Sequence, residues 1–184
     1  MRILRAPSGP AAARANRVTA YWAFAWVMVF LAWHVVWAAT GLDSPDPAGH
    51  RGAARVAAEV FMVVVLLMTA VGVVLPLALV QAWGRRVPGW MLAGGAWTGC
   101  VLLCARGFSG VADAVLRVTG VLPHGLTGMT TEQVFGTAHP STWAWTASSA
   151  TDVLFAVGGV AFGFAALAYQ RVYPVRHRSR VRAA

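Results

Sequence analysis

The sequence predicts an all-α fold, a polytopic membrane four-helix bundle with both termini on the inner side. Of its 184 residues, 58% are hydrophobic and 11% charged, with a mean hydropathy of +0.62. A soluble domain of this size needs more charge than that to cover its surface. The apolar residues also come in runs of about 20, long enough to cross a hydrocarbon core of roughly 30 Å. Four spans are expected, at about 18–40, 56–82, 90–107 and 143–169. They form one membrane domain over 18–170, with basic tails at 1–17 and 171–184.

The third observation is where the charge sits. All fifteen basic side chains other than histidine are Arg. Arg2, Arg5, Arg14 and Arg17 precede the first span, and Arg85 and Arg86 lie between the second and third. Arg171, Arg176, Arg178, Arg180 and Arg182 follow the fourth. Asp43, Asp46, Asp113 and Glu132 fall in or near the two loops of the opposite side. Arginine-rich short loops stay cytoplasmic, so both termini are expected in the cytoplasm. The net charge of +9 then belongs beside anionic headgroups. Membrane lipids, or another membrane protein, are the expected partners. Nucleic acid is not, since no aromatic residues interleave the basic ones. Tyr21, Trp22, Trp83, Trp90, Tyr169 and Tyr173 mark the inner interface, and Trp33, Trp37, Trp143 and Trp145 the outer one.

Taken in order, residues 1–17 read as a flexible basic tail rich in Ala, Pro and Gly. The first span carries four Trp and exceeds the h-region of roughly 7–15 residues of a cleaved signal peptide. It is therefore read as a membrane helix. GLDSPDPAGHRG is a loop of turn formers, and QAWGRRVPGW a helical-hairpin turn. Cys100 and Cys104 on the third span lack the Cys-x-x-Cys spacing of thiol redox enzymes and read as small apolar residues. In the outer loop, 108–142, FSGVADAVLRV has helical periodicity through Phe108, Val111 and Val115, with Asp113 and Arg117 as an i,i+4 pair. It reads as an extension of the third helix or an interfacial helix. The rest of this loop is either an ordered cap or a floppy loop.

Four ionisable residues lie in or at the outer edge of the spans: His34, Glu59, Arg106 and Asp152. Such residues are costly in a bilayer and mark candidate sites. Counting about 1.5 Å per residue from Tyr21, Trp90 and Tyr169 puts His34, Arg106 and Asp152 at roughly 20–25 Å, a common height. Glu59 comes out near the outer surface. Gly95-x-x-x-Gly99 and Gly159-x-x-x-Gly163 let two helices approach closely. Arg106 and Asp152 each lie seven residues, nearly two turns, outward of these glycines. The third and fourth spans should therefore pack through Gly95, Gly99, Gly159 and Gly163, with Arg106 paired to Asp152 above them. Thr146, Ser148, Ser149 and Thr151 either line a small hydrated cavity here or bond their own helix carbonyls.

His34 is read as a neutral imidazole bonded to a neighbouring helix, or as a third member of the Arg106–Asp152 cluster. Bis-His haem ligation lacks a second histidine at its depth, since His50, His124 and His139 lie in outer loops. Zinc lacks a supporting spacing. No metal and no cofactor is expected.

The stretch His34-Val-Val-Trp37-Ala38-Ala-Thr-Gly41 resembles the first-helix signature of a family of small four-helix, actinobacterial-type integral membrane proteins of unknown function. LPLALVQAWGRRVPGW, the pair Arg106-Gly107 and VGGVAFGFAAL are similar to it as well, whereas the long loop at 108–142 departs from it. The resemblance implies an architecture and, with the all-Arg, Ala-rich composition, an actinobacterial host and so a bacterial cytoplasmic (inner) membrane; it implies no activity. The expected function is that of a non-enzymatic accessory or lipid-binding subunit with a polar cluster in its outer half. The alternatives are an enzyme acting on a lipid or other apolar substrate through His34, Glu59, Arg106 and Asp152, or a transporter.

Overall fold

The computed structural model describes residues 9–40 and 52–173. These form helices α1 (Pro10–Thr40), α2 (Ala53–Ala78), α3 (Gly89–Val118), α4 (Thr131–Phe135) and α5 (Thr142–Val172), and a 3₁₀ helix at Ala82–Arg86. There is no strand among the described residues. Three helices are long and apolar enough to cross a membrane: α1 over Pro10–Trp37, α3 and α5. In α2 the apolar stretch is the shorter Val63–Ala78. Asp43, Asp46 and His50, with Arg2, Arg5, Arg176, Arg178, Arg180 and Arg182, lie outside the described residues.

Two boundaries differ from the sequence reading for local reasons. Helix α1 begins at Pro10, inside the stretch expected to be a flexible tail. Proline at a helix start already has the required φ and lacks only an N–H that would be unbonded there. Asn16 is buried and its Nδ2 donates to the Leu79 carbonyl at 3.0 Å, tying this part of α1 to the end of α2. Helix α2 stops at Ala78, and the 3₁₀ turn that follows folds back onto it. A Cβ on Gly84 would overlap the Ala78 carbonyl, so only glycine permits that fold. Helix α3, in contrast, runs unbroken through FSGVADAVLRV, which is its extension rather than a separate helix.

Packing is inside-out relative to a water-soluble protein. The buried positions are dominated by Ala20, Ala23, Ala78, Ala93, Ala96, Ala147, Ala165 and Ala166. Apart from a few such as Trp26, Leu79, Leu92 and Phe162, the large apolar side chains point outward instead. On α5, Val153, Val157, Val160, Phe164 and Leu167 form an exposed stripe at the spacing of one helix face. On α2, Val63, Val64, Val65, Leu66, Leu67 and Met68 are all exposed, which covers every face of the helix. Small residues inside and large ones outside is the arrangement of helices that pack in lipid, where burying leucine brings no hydrophobic gain.

Helix α5 is the hub, packed most extensively on α3 and next on α1. Consecutive glycines make this possible, because adjacent helical residues point about 100° apart. Gly158 lies under the Trp26 indole of α1, and Gly159 lies against the Cys104 and Cys100 backbone of α3. Trp26 Nε1 also donates to the Leu154 carbonyl at 2.9 Å. Further along the seam, Gly107 of α3 abuts the backbone of Ala156 and Asp152.

A matched pair of substitutions tests this packing. Gly107→Ala puts a methyl group into the α5 backbone and is expected to cost about 1–3 kcal/mol. Gly94→Ala, on the same helix with open space around it, is expected to be neutral or to stabilise by up to about 1 kcal/mol. Thermal melts of the detergent-purified variants provide the check.

Candidate functional site: a cleft between helices α3 and α5 and their connection

The α3–α5 seam brings one carboxylate out of solvent and leaves its partner half in it. Asp152 lies on the inward face of α5, with its side chain 8% exposed. Its carboxylate rests against Gly110, where any Cβ would fall on the carboxylate atoms. Arg106 Nη1 donates to Asp152 Oδ1 at 2.6 Å, and the Arg106 side chain is 55% exposed. The guanidinium carbon stands 5.3 Å from the Phe155 ring centroid, within the range of a cation–π contact. A buried carboxylate is costly without a charged partner. Arg106 is that partner, and it still presents guanidinium N–H groups outward.

A second ion pair, about two to three turns further out along α3, organises the connection between α3 and α5. Arg117 Nε donates to Asp113 Oδ2 at 2.6 Å. Arg117 Nη1 and Nη2 donate to the carbonyls of Met129 at 2.9 Å and His124 at 3.0 Å. Asp113 Oδ1 accepts the Leu126 N–H at 2.6 Å. Gly125, at φ +62°, sits directly against both side chains, so a left-handed residue without a Cβ is required there. Helix α4 then starts with a capping box, in which Thr130 Oγ1 accepts the Gln133 N–H and Gln133 Oε1 accepts the Thr130 N–H. It ends at Gly136 in the left-handed region, and Phe135 packs on Trp145 of α5 at 4.7 Å between ring centroids. The connection is an ordered cap.

Between α3, this cap and α5 lies a cleft of about 470 Å³. Both ion pairs line it, with Ser148 and Ser149 of α5 and the apolar side chains of Leu126, Met129, Val134 and Phe135. Thr146 and Thr151 do not share that use. Each donates to the carbonyl four residues earlier, and Thr151 also accepts the Trp33 Nε1–H at 2.7 Å.

The other candidates lie elsewhere. His34 has no hydrogen bond to Arg106 or Asp152: its Nδ1–H donates to the Phe30 carbonyl of its own helix at 2.8 Å. A carbonyl only accepts, so the proton of a neutral ring is on Nδ1. The His34 ring lies 4.1 Å from Phe30, which lies 5.2 Å from Phe155. Two phenyl rings thus stand between His34 and Arg106. Glu59 pairs with Arg55 at 2.9 Å on the exposed surface of α2. Gly95 faces Leu75 of α2 rather than α5, and Gly99 faces the Phe162 ring. Gly159 and Gly163 do face α3, at Cys104 and Cys100, which act there as small packing residues. Gly107, Gly110 and Gly158 were missed, although Gly107-x-x-Gly110 beside Arg106 and the doubled Gly158-Gly159 are visible small-residue signals. Among the described residues no three His, Cys, Asp or Glu side chains converge as a metal site would need.

Comparison with known proteins finds no matching family model, no matching curated protein and no matching solved structure.

Arg117→Gln removes the donors that hold the cap. Losing hydrogen bonds from a charged group makes cap opening easier by about 2 kcal/mol, or roughly thirtyfold faster amide exchange over residues 120–130. Exchange in α5 is expected to stay unchanged. Hydrogen-exchange mass spectrometry reads both regions at once.

Proposed function

We propose that this chain is a four-helix integral protein of a bacterial cytoplasmic membrane, with α1, α2, α3 and α5 spanning and both termini cytoplasmic. Its function is that of a non-enzymatic lipid-binding subunit, the cleft beneath the cap holding an anionic headgroup. The inside-out packing and the exposure of every α2 side chain from Val63 to Met68 support the membrane reading. The segregation of arginines supports the orientation, and the resemblance to small four-helix bacterial membrane proteins agrees with both.

The observation that carries the lipid reading is the asymmetry of the Arg106–Asp152 pair. Asp152 is buried, while Arg106 is half exposed on a cleft with both polar and apolar walls. A headgroup phosphate would meet Arg106 N–H groups and the Ser148 and Ser149 hydroxyls, and acyl chains the apolar wall. The same geometry gives an enzyme little to work with. His34 and Glu59, the residues suited to moving protons, do not line the cleft. Asp113 and Asp152 are each tied up in an ion pair with an arginine. A transport route is also without support, since the α3–α5 and α1–α5 seams are closed by glycine and alanine.

Native mass spectrometry of protein gently extracted from its membrane tests this. The parent is expected to carry a stoichiometric lipid, lost in Ser148→Trp, which fills the cleft and leaves both ion pairs intact. A parent carrying a stoichiometric protein partner and no lipid would overturn it.

A further inference from the structure

A second cavity, of about 320 Å³, lies at the opposite end of the helices, between the 3₁₀ turn and the last turn of α5. Arg85, Arg86 and Gln81 line it from the turn, and Tyr169 and Tyr173 from α5. The turn is rigid. Gly84 is buried on Ala78, its N–H donates to the Gln81 carbonyl at 3.1 Å, and its own carbonyl accepts the Val87 N–H at 3.0 Å. The two tyrosine rings pack together at 5.0 Å. Helix α3 begins at the same cavity with no side-chain cap, so its positive end adds to the field there.

Arg85 and Arg86 are exposed and have no ion-pair partner among the described residues. No described acid lies near enough to give them one. The described acids are Glu59, Asp113, Glu132 and Asp152. Asp152 is 17 residues along α5 from Tyr169, and Glu59 is 19 along α2 from Ala78. These separations correspond to roughly 25 Å or more of helix, well beyond a screening length of about 8 Å. Asp113 lies further still, near the far end of α3, and Glu132 in the cap beyond it. Asp43 and Asp46 lie outside the described residues, and the sequences at 1–8 and 174–184 contain no Asp or Glu. Among the described residues no acid reaches this cavity, which leaves its positive charge open to an anion from another molecule.

We infer that this cavity binds the phosphate of an anionic membrane lipid, a phosphatidylglycerol-type phosphodiester held by Arg85 and Arg86 against the Gln81 side and the tyrosine wall. Trp83 and Trp90 flank it and are exposed, as indoles at a headgroup interface are. Basic pockets between helices on the cytoplasmic side are suited to such headgroups. The inference rests on the membrane reading above, but not on the outer cleft.

The test is a titration of the delipidated full chain, in a non-ionic detergent, with phosphatidylglycerol, phosphatidylcholine or inorganic phosphate, read by native mass spectrometry and by Tm. Phosphatidylglycerol is expected to bind and raise Tm, and phosphatidylcholine and inorganic phosphate to do neither. Arg85→Gln/Arg86→Gln is expected to bind phosphatidylglycerol about thirtyfold more weakly, from the loss of two arginines at an anionic headgroup. Gln81→Trp fills the cavity with both arginines present and should lose the lipid too. All of these titrations are run in the Ser148→Trp background, which fills the outer cleft and leaves the inner cavity as the site that is read. An Arg178→Gln/Arg180→Gln control that loses as much as the cavity variant would assign the lipid to diffuse attraction by the tail and overturn the site. Equal stabilisation by inorganic phosphate would overturn the lipid as its source.

Discussion

The close approach of α3 and α5 is the constraint on which the rest of the structure depends. Gly107 and Gly159 remove the side chains that would hold the two backbones apart, and Gly110 leaves room for a carboxylate between them. Asp152 is buried as a consequence, and a buried carboxylate commits the fold to supplying a cation. Arg106 is the one in reach. The pairing is thus less a source of stability than a condition imposed by the packing, as the cost of desolvating charges would suggest. The cleft lies where the same seam, extended outward, meets the cap latched by Arg117.

The second consequence of glycine-mediated contact is that α5 serves two neighbours at once. Gly158 receives Trp26 of α1 while Gly159 receives α3, so neither contact can shift without the other. Helix α2 has no comparable anchor. It meets α1 and α3 lightly, and its side chains from Val63 to Met68 are all exposed. The polar chemistry accordingly gathers where α5 is held from both sides, and Arg55 and Glu59 on α2 pair only with each other.

The parts of this arrangement that were legible in the sequence are those that follow from straight, antiparallel helices. For Arg106 and Asp152, both height and face can be counted, and they meet. His34 shows the limit of counting. Its height suits the cluster, but the rotation of α1 about its own axis is set by Trp26 lying on Gly158, a contact 132 positions apart. That rotation places Phe30 and Phe155 between His34 and Arg106. The cap shows a different limit. Gly120, Gly125, Gly128 and Gly136 all adopt positive φ and are visible as turn residues. That Arg117 reaches two carbonyls of the loop and turns it into a fixed wall is a tertiary fact with no local signature.

The most direct measurement is a double-mutant cycle across the seam, with Arg106→Gln, Asp152→Asn and the double variant compared by thermal unfolding. If the packing buries Asp152 and Arg106 exists to compensate it, Arg106→Gln alone strands a charge and is strongly destabilising. Adding Asp152→Asn should then recover most of the loss, with a coupling of about 1–3 kcal/mol. Losses that simply add would mean the two side chains do not depend on each other, and would contradict the account of the seam from which the cleft is built.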